Sequence, residues 1–299
     1  MYTERINSAK EHNMKIWFDG KLVEKEEARV SVFDHGVLYG DGCFEGIRFY
    51  NGKIFRLKEH LERFFNSAKY IALEIPYSFD EAAAACRETA DASGLKNGYI
   101  RLVVTRGEGG LGLSPLTCPR PCMFVIAQQV ALYPKEIYEN GLALVTSAVR
   151  RNAPAALSPQ VKSLNYLNNI LAKLDAIRQG AWESLILNAQ GNVAECTGDN
   201  IFIVKRGVVC TPPVTDGALD GITRHAVIDI CHEAGIPFQE RTLNRFDIIS
   251  ADECFLTGTA AEVIAVSSLD GQKINTGVSG PVTKRILSLY QEETNRSRD

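Results

Sequence analysis

The stretch "TRGEGGLGLSP", residues 105–115, carries Gly107, Gly109 and Gly112 and so spells G-x-G-x-x-G behind the strand-like "GYIRLVVT" (98–105). Read as a dinucleotide fingerprint, it would make the chain a Rossmann fold. That fingerprint needs a helix straight after the glycines, because the free amides and partial positive charge of a helix N-terminus hold the pyrophosphate. Here the glycines run into "LSPLTCPRPC" (113–122), where Pro115, Pro119 and Pro121 forbid a helix interior. The partner acid would fall about twenty residues on. The segment "CMFVIAQQVALYPKE" offers none before Glu136. The stretch therefore reads as a glycine loop between strands. A nicotinamide (NAD-dependent) oxidoreductase rests on this match alone and is a remote alternative.

Outward from the loop, the N-terminal part reads as hairpins plus two helices. "KIWFDGKLV" (15–23) and "ARVSVFD" (28–34) are expected strands, with Asp19-Gly20 as a turn. "CFEGIRFYNGKIFRL" (43–57) is a hairpin closed by Asn51-Gly52. "LKEHLERFFNSAKYIAL" (57–73) places Leu57, Leu61, Phe64, Phe65 and Ala68 at helical spacing. Ser78 and Glu81 form a possible capping box ahead of a helix that stops at Gly94. "CMFVIAQQVAL" (122–132) is a further strand.

"YPKEIYENG" (133–141) is the best linker candidate. Beyond it come the strand "LALVTSAVR", the helix "LNYLNNILAKLDAIRQG", and hairpins turning at Gln190-Gly191 and Arg206-Gly207. The helix "ITRHAVIDICHEAG", the strand and turn "DECFLTGTAAEVIAV" and the closing helix "GPVTKRILSLYQEETN" complete the chain. The expected organisation is an N-terminal extension (1–13), a small α+β domain (14–132), the linker, and a large domain (142–299). The fold class is α/β (α+β).

A chain of 299 residues, 45% hydrophobic, can bury the cores of two domains. With 33 basic and 36 acidic residues the net charge is −3, which argues against a nucleic-acid or anionic-membrane surface. The eight cysteines include no C-x-x-C, and Cys118 and Cys122 have no matching ligand pair, so no metal is expected. "MYTERINSAKEHN" has no apolar h-region, and no apolar run nears the roughly 18–20 residues of a membrane helix. Reduced thiols and a cytoplasmic location are expected.

Chemistry gathers in four segments. Lys162 stands just before the helix of "SPQVKSLNYLNNILAK" (158–173), with Tyr166 one turn on; Leu167, Ile170, Leu171, Leu174 and Ile177 form that helix's apolar face. Glu195 ends a hairpin strand in "VAECTGDNIFIV". In "LDGITRHAVIDI", Gly221-Ile222-Thr223 opens a helix whose amides and hydroxyl can hold an anion. Thr257-Gly258-Thr259-Ala260 is a second such turn. Each alone reads as ordinary surface or capping chemistry. Together a nucleophilic lysine, a phenol, a carboxylate and a phosphate cradle suit pyridoxal 5'-phosphate. The lysine bonds the aldehyde carbon, and its released amine can carry a proton between Cα and C4′. The carboxylate keeps the ring nitrogen protonated.

From Lys15 to about Gln291 the chain resembles the fold-type IV pyridoxal-phosphate enzymes, most closely the branched-chain amino acid aminotransferases (class IV). The resemblance is carried by "VFDHGVLYGDGCFEGIR", "RLKEHLERFFNSAK", "GYIRLVVTRG", "VKSLNYLNNILAK", "ECTGDNIFIV", "TPPVTDGALDGITR", "LTGTAAEV" and "GPVTKRI". It implies two α/β domains with the cofactor in the cleft between them. Lys162 is then the Schiff-base lysine, Glu195 pairs with the pyridinium nitrogen and Tyr166 bonds the ring hydroxyl. Arg63 grips phosphate as a charged fork, with the Ile222 and Thr223 amides and the Thr259 hydroxyl, and Leu219 packs on the ring. Phe44, Tyr99 and Tyr166 line an apolar substrate pocket, and Arg101 takes the distal carboxylate of glutamate or 2-oxoglutarate. The Thr259 and Ala260 amides and the Tyr99 hydroxyl hold the α-carboxylate.

The resemblance also implies a homodimer or higher homo-oligomer with shared sites. Tyr39, and Leu111 and Leu113 of the glycine loop, would approach the partner's pocket. The implied reaction is ping-pong transfer from leucine, isoleucine or valine to 2-oxoglutarate. A D-amino-acid or (R)-amine aminotransferase is the nearest alternative, and an aminodeoxychorismate lyase a further one of the same fold. His35 and His60 are expected to be structural. Cys196 departs from the small residue many relatives carry and is expected to crowd Glu195 or the ring. Cys43 adjoins the pocket strand. The linker lacks the tryptophan that some branched-chain enzymes place over the substrate, and Val130 and Tyr133 fall near that region.

Overall fold

The computed structural model describes residues 14–130 and 133–296. The expected extension, 1–13, and the boundary at 132 lie outside the described residues. The chain divides into two compact units, one holding residues 14–130 with Lys162–Leu164, the other residues 133–161 and 165–296. Three residues of the second half of the sequence therefore belong to the first unit.

The first unit contains β1 (Lys15–Phe18), β2 (Lys21–Glu24), α1 (His35–Tyr39), β3 (Gly42–Tyr50), β4 (Lys53–Ile54), α2 (Leu57–Tyr70), α3 (Phe79–Ala92), β5 (Gly98–Thr105) and β6 (Cys122–Gln128). Its six-stranded sheet runs β2-β1-β6-β5-β3-β4, and every pairing is antiparallel. The turn residues act as their chemistry requires: Asp19, Gly20, Asn51 and Gly52 all take positive φ. Helices α2 and α3 supply Leu61, Phe64, Ala82 and Cys86 to a core shared with Ile47, Phe49, Ile100 and Met123.

The α3 capping box forms in full. The Glu81 amide donates to Ser78 Oγ at 3.3 Å, and the Ser78 amide donates to Glu81 Oε2 at 2.7 Å. Ser78→Ala should cost about 1 kcal/mol, read as a shift in the denaturant midpoint at unchanged slope.

"ARVSVFD" is not a strand. Among the described residues its alternation finds no neighbouring strand, Val32 is exposed, and Asp34 instead caps α1. Asp34 Oδ1 accepts from the Gly36 amide at 2.6 Å and Oδ2 from Thr105 Oγ1 at 2.6 Å.

The second unit contains α4 (Lys135–Asn140), β7 (Leu142–Thr146), α5 (Leu167–Arg178), β8 (Glu183–Leu187), β9 (Val193–Cys196), β10 (Asn200–Lys205), β11 (Val208–Thr211), α6 (Ile222–Glu233), β12 (Phe238–Glu240), α7 (Arg245–Ile249), β13 (Glu253–Gly258), β14 (Glu262–Leu269), β15 (Gln272–Lys273) and α8 (Pro281–Arg296). Its main sheet runs β12-β11-β10-β13-β14-β7-β8-β9, with β15 on β14. The sheet is mixed, since β11–β12, β14–β7 and β7–β8 are parallel pairs.

The expected linker is ordered structure: α4 fills it, and Tyr133 is buried in the second unit's core against Trp182. Helix α5 faces opposite to its periodicity. Leu167, Ile170, Leu171, Leu174 and Ile177 are exposed, while Asn169, Ala172 and Ala176 are buried. Small residues let α5 approach the sheet closely, and Ser184 Oγ donates to the Ala172 carbonyl at 2.8 Å.

Candidate active site

The candidate residues fall in both units. In the first, residues 162–164 run along the start of β3 as a short extension of its edge. The Phe44 amide donates to the Lys162 carbonyl at 3.0 Å, and the Leu164 amide to the Gly42 carbonyl at 2.9 Å. Ser163 bridges Cys43, and the Lys162 amide reaches Ser67 Oγ at 3.2 Å. This pinning places Lys162 Nζ 4.6 Å from the centroid of the Phe44 ring.

Arg101, on β5, meets the same ring. Its guanidinium carbon lies 4.5 Å from the Phe44 centroid and 5.4 Å from that of Tyr99, and Nη2 donates to the Tyr99 hydroxyl at 3.0 Å. Gly46 makes the arrangement possible: a Cβ there would stand 1.9 Å from the Tyr99 oxygen. Lys162, Phe44, Tyr99 and Arg101 thus form one cluster with an apolar wall and a fixed guanidinium.

Arg63, the expected phosphate fork, is already engaged. Its Nε donates to Glu45 Oε1 at 2.7 Å and Nη2 to Oε2 at 2.8 Å. His60 Nδ1 lies 2.8 Å from Glu45 Oε2. Burial alone would raise the Glu45 pKa, but the Arg63 charge and the Arg63 and His60 hydrogen bonds overcome it and hold the carboxyl far below the usual range. Burial, with the nearby Arg63 and Lys162 charges, holds the His60 pKa below its usual value although Glu45 raises it. The ionised carboxylate can only accept, so neutral His60 donates from Nδ1.

The glycine loop shows no helix after the glycines, only a 3-10 turn at Pro115–Thr117. It has no helix N-terminus to hold a pyrophosphate. The loop is tied to α1 instead: His35 Nε2 lies 2.7 Å from the Gly110 carbonyl oxygen, and the Tyr39 hydroxyl donates to the Leu111 carbonyl. Gly107 has φ +88°, and a Cβ there would meet the Arg120 carbonyl oxygen at 1.9 Å, so two constraints require glycine. Leu111 and Leu113 are exposed.

In the second unit, Glu195 is buried on β9 among donors. Arg151 Nη2 lies 2.6 Å from Oε1; the Leu219 amide donates to Oε2 at 2.8 Å and Asn200 Nδ2 at 3.3 Å. Arg151 is itself held by the Gly217 carbonyl at 3.0 Å and Asn169 Oδ1 at 2.8 Å. Asn200 Nδ2 also donates to the Leu219 carbonyl at 2.9 Å, and its side chain lies against Gly221, the residue that opens α6. Sequence reasoning missed Arg151, Asn169 and Asn200. "AVRRNAP" carries no local pattern, and only the tertiary fold brings Arg151 to Glu195.

Helix α6 opens on Gly221 with no side-chain cap, and Ile222 and Thr223 are buried at its first turn. Thr257, paired across the strands with Asn200, has a fully buried hydroxyl with no hydrogen-bond partner among the described residues. Thr259 and Ala260 follow in the half-buried turn before β14. Tyr166 sits at the N-cap of α5. Cys196 alternates away from Glu195 into the apolar core, where burial drives its thiol pKa well up. It does not crowd the glutamate. Cys43 likewise lies in the first core, its pKa pushed up to about 12 by burial and the nearby Asp41 charge.

Comparison with known proteins adds three relatives and one family. The sequence pattern of the family described as amino-transferase class IV matches residues 42–269. A protein of Methanocaldococcus jannaschii, provisionally named a branched-chain-amino-acid aminotransferase, is 48% identical over 279 residues, spanning 93% of this chain and 96% of that one. A D-alanine aminotransferase of Bacillus licheniformis is 36% identical, over 93% of this chain and 96% of the relative. The crystal structure of the T.th. branched-chain amino acid aminotransferase complexed with N-(5'-phosphopyridoxyl)-L-glutamate superposes with a TM-score of 0.89 at 38% identity, covering 95% of each chain.

Proposed function

The chain belongs to the class IV amino-transferases, and on that premise we propose that it moves the amino group of leucine, isoleucine and valine to 2-oxoglutarate with pyridoxal 5'-phosphate as cofactor. Its residues fit that group. Among the described residues the first turn of α6 has no side-chain cap and the Thr257 hydroxyl is buried without a partner, while Glu195 is fixed as an acceptor by Arg151, the Leu219 amide and Asn200. Bound pyridoxal phosphate supplies an aldehyde for the amine and an electron sink for the pair left when a Cα–H bond breaks.

This chain's residues would do the rest. Lys162 would hold the cofactor through its amine and, once a substrate amine has displaced it, would carry the proton at Cα. Glu195 keeps the ring nitrogen protonated, while Tyr166 bonds the ring hydroxyl and Leu219 packs on the ring face. Arg63, Ile222, Thr223 and Thr259 hold the phosphate. The Thr259 and Ala260 amides and the Tyr99 hydroxyl take the α-carboxylate.

One observation carries the substrate class: the Arg101 guanidinium lies 4.5 Å from the centre of the Phe44 ring and is hydrogen-bonded to the Tyr99 hydroxyl. An aliphatic side chain finds an apolar wall there, and a dicarboxylate finds a guanidinium already in place. Arg101→Met should raise the KM for 2-oxoglutarate by about tenfold or more and leave that for leucine within about twofold. Equal losses for both would sink this assignment. The D-alanine aminotransferase relative sustains a second reading, in which D-amino acids are used. A panel of L-leucine, D-alanine and (R)-1-phenylethylamine separates the two, since preference for either of the last overturns the first.

We further propose a homodimer in the cytoplasm. The exposed row Leu167, Ile170, Leu171, Leu174 and Ile177 on α5, and Val37, Leu38, Tyr39, Leu111 and Leu113 around α1 and the loop, are apolar surfaces suited to a second copy. Among the described residues no helix is long and apolar enough to cross a membrane.

A further inference from the structure

Strand β3 alternates in a way that exposes an anomaly. Cys43, Ile47 and Phe49 point into the first unit's core, and Glu45 stands in the same row, fully buried. A carboxylate in a core row is costly to desolvate, and apolar residues of similar volume commonly serve stability as well. Its partners come from one face of α2, where His60 and Arg63 are three residues apart. Two Arg63 nitrogens, Nε and Nη2, are taken up side-on by the two carboxylate oxygens. That contact fixes the plane of the guanidinium and directs Nη1 away from Glu45. The Arg63 side chain is 12% exposed while Glu45 is 0% exposed, so the fork is gripped from the core side.

We propose that Glu45 is a positioning residue for phosphate binding: it locks Arg63 in one orientation before the phosphate arrives. The proposal rests on the pyridoxal-phosphate reading. Arginine is a long, flexible side chain, and a free one would lose its rotamer freedom on gripping an anion. Held by Glu45, it loses that freedom on folding, so less affinity is given up on binding. Because Glu45 neutralises Arg63, the pair acts as an aimed donor rather than as an added positive charge. The uncapped first turn of α6 and the threonine hydroxyls then remain to balance the phosphate.

The test compares pyridoxal phosphate with pyridoxal, which lacks the phosphate. The full-length wild type, Glu45→Gln, Arg63→Met and the double variant are each titrated with both, and visible absorbance of the lysine-bound cofactor is followed. Glu45→Gln should weaken pyridoxal phosphate about tenfold, the worth of a hydrogen bond to a charged group, and leave pyridoxal within about twofold. In the Arg63→Met background, Glu45→Gln should lower the ratio of the two affinities no further. Equal weakening of both ligands marks a purely structural acid and overturns the proposal, as does an unchanged ratio. Should Glu45→Gln fail to fold, Glu45→Asp keeps the charge but withdraws it from the fork, and the same ratio should fall. A wild type that develops no visible absorbance with pyridoxal phosphate overturns the cofactor reading itself, which is a different result.

Discussion

Lys162→Ala is expected to abolish the visible absorbance of the purified protein and to lower turnover by about four orders of magnitude or more. One amine is asked both to bond the cofactor and to carry the proton at Cα, and general acid–base transfer alone contributes about 10²- to 10⁴-fold. Four orders correspond to roughly 5.5 kcal/mol of barrier. The loss should come without unfolding. The backbone of residues 162–164 is held through its own amides and carbonyls on β3 and Ser67, and these contacts survive truncation of the side chain. Near-UV circular dichroism should therefore stay native. A variant that keeps a visible band and about a tenth of the wild-type rate would remove Lys162 from the chemistry. Colourless wild-type protein that binds NADH would instead revive the dinucleotide reading of the glycine loop.

Glu195→Gln should lower kcat by about 10²-fold or more, as removal of a preorganised electrostatic partner commonly does. It should also cost stability, on the order of 3–5 kcal/mol, because Arg151 keeps a buried charge with its partner gone. Both side chains are 6% exposed, so solvent screening relieves little. The two effects can be separated. Glu195→Gln with Arg151→Met replaces the pair by uncharged groups and should recover much of the thermal stability while turnover stays low. Recovery of turnover along with stability would show that Glu195 only balances Arg151 and does not act on the cofactor.

Much of the fold was legible because local chemistry enforces it. Asp19-Gly20 and Asn51-Gly52 supply the positive φ that tight hairpins need, and Ser78 with Glu81 closes its capping box as the spacing predicts. The prolines after Gly112 rule out the helix a dinucleotide site requires, and none forms. Lys162 and Glu195 stood out once their segments were taken together with the two anion-holding turns. Other readings failed where the same local signal admits two outcomes. The alternation of "ARVSVFD" found no neighbouring strand. The apolar stripe of α5 is real, but the fold buries the opposite side, where Ala172 and Ala176 permit close approach and Asn169 holds Arg151. The polar segment 133–141 gives no local sign that it folds into α4 with Tyr133 in the core.

The sequence by itself determined the family, the hairpins and caps, and the residue types that suit aminotransfer. Those properties depend on neighbours a few positions apart, where hydrogen bonds and side-chain periodicity operate. Only the tertiary structure decided which charges meet. It carried Lys162 back onto β3, brought Arg151, Asn200 and the Leu219 amide to Glu195, and committed Arg63 to Glu45. Such pairings follow from sheet register and chain crossings, and they form because a buried charge without a partner is too costly to keep.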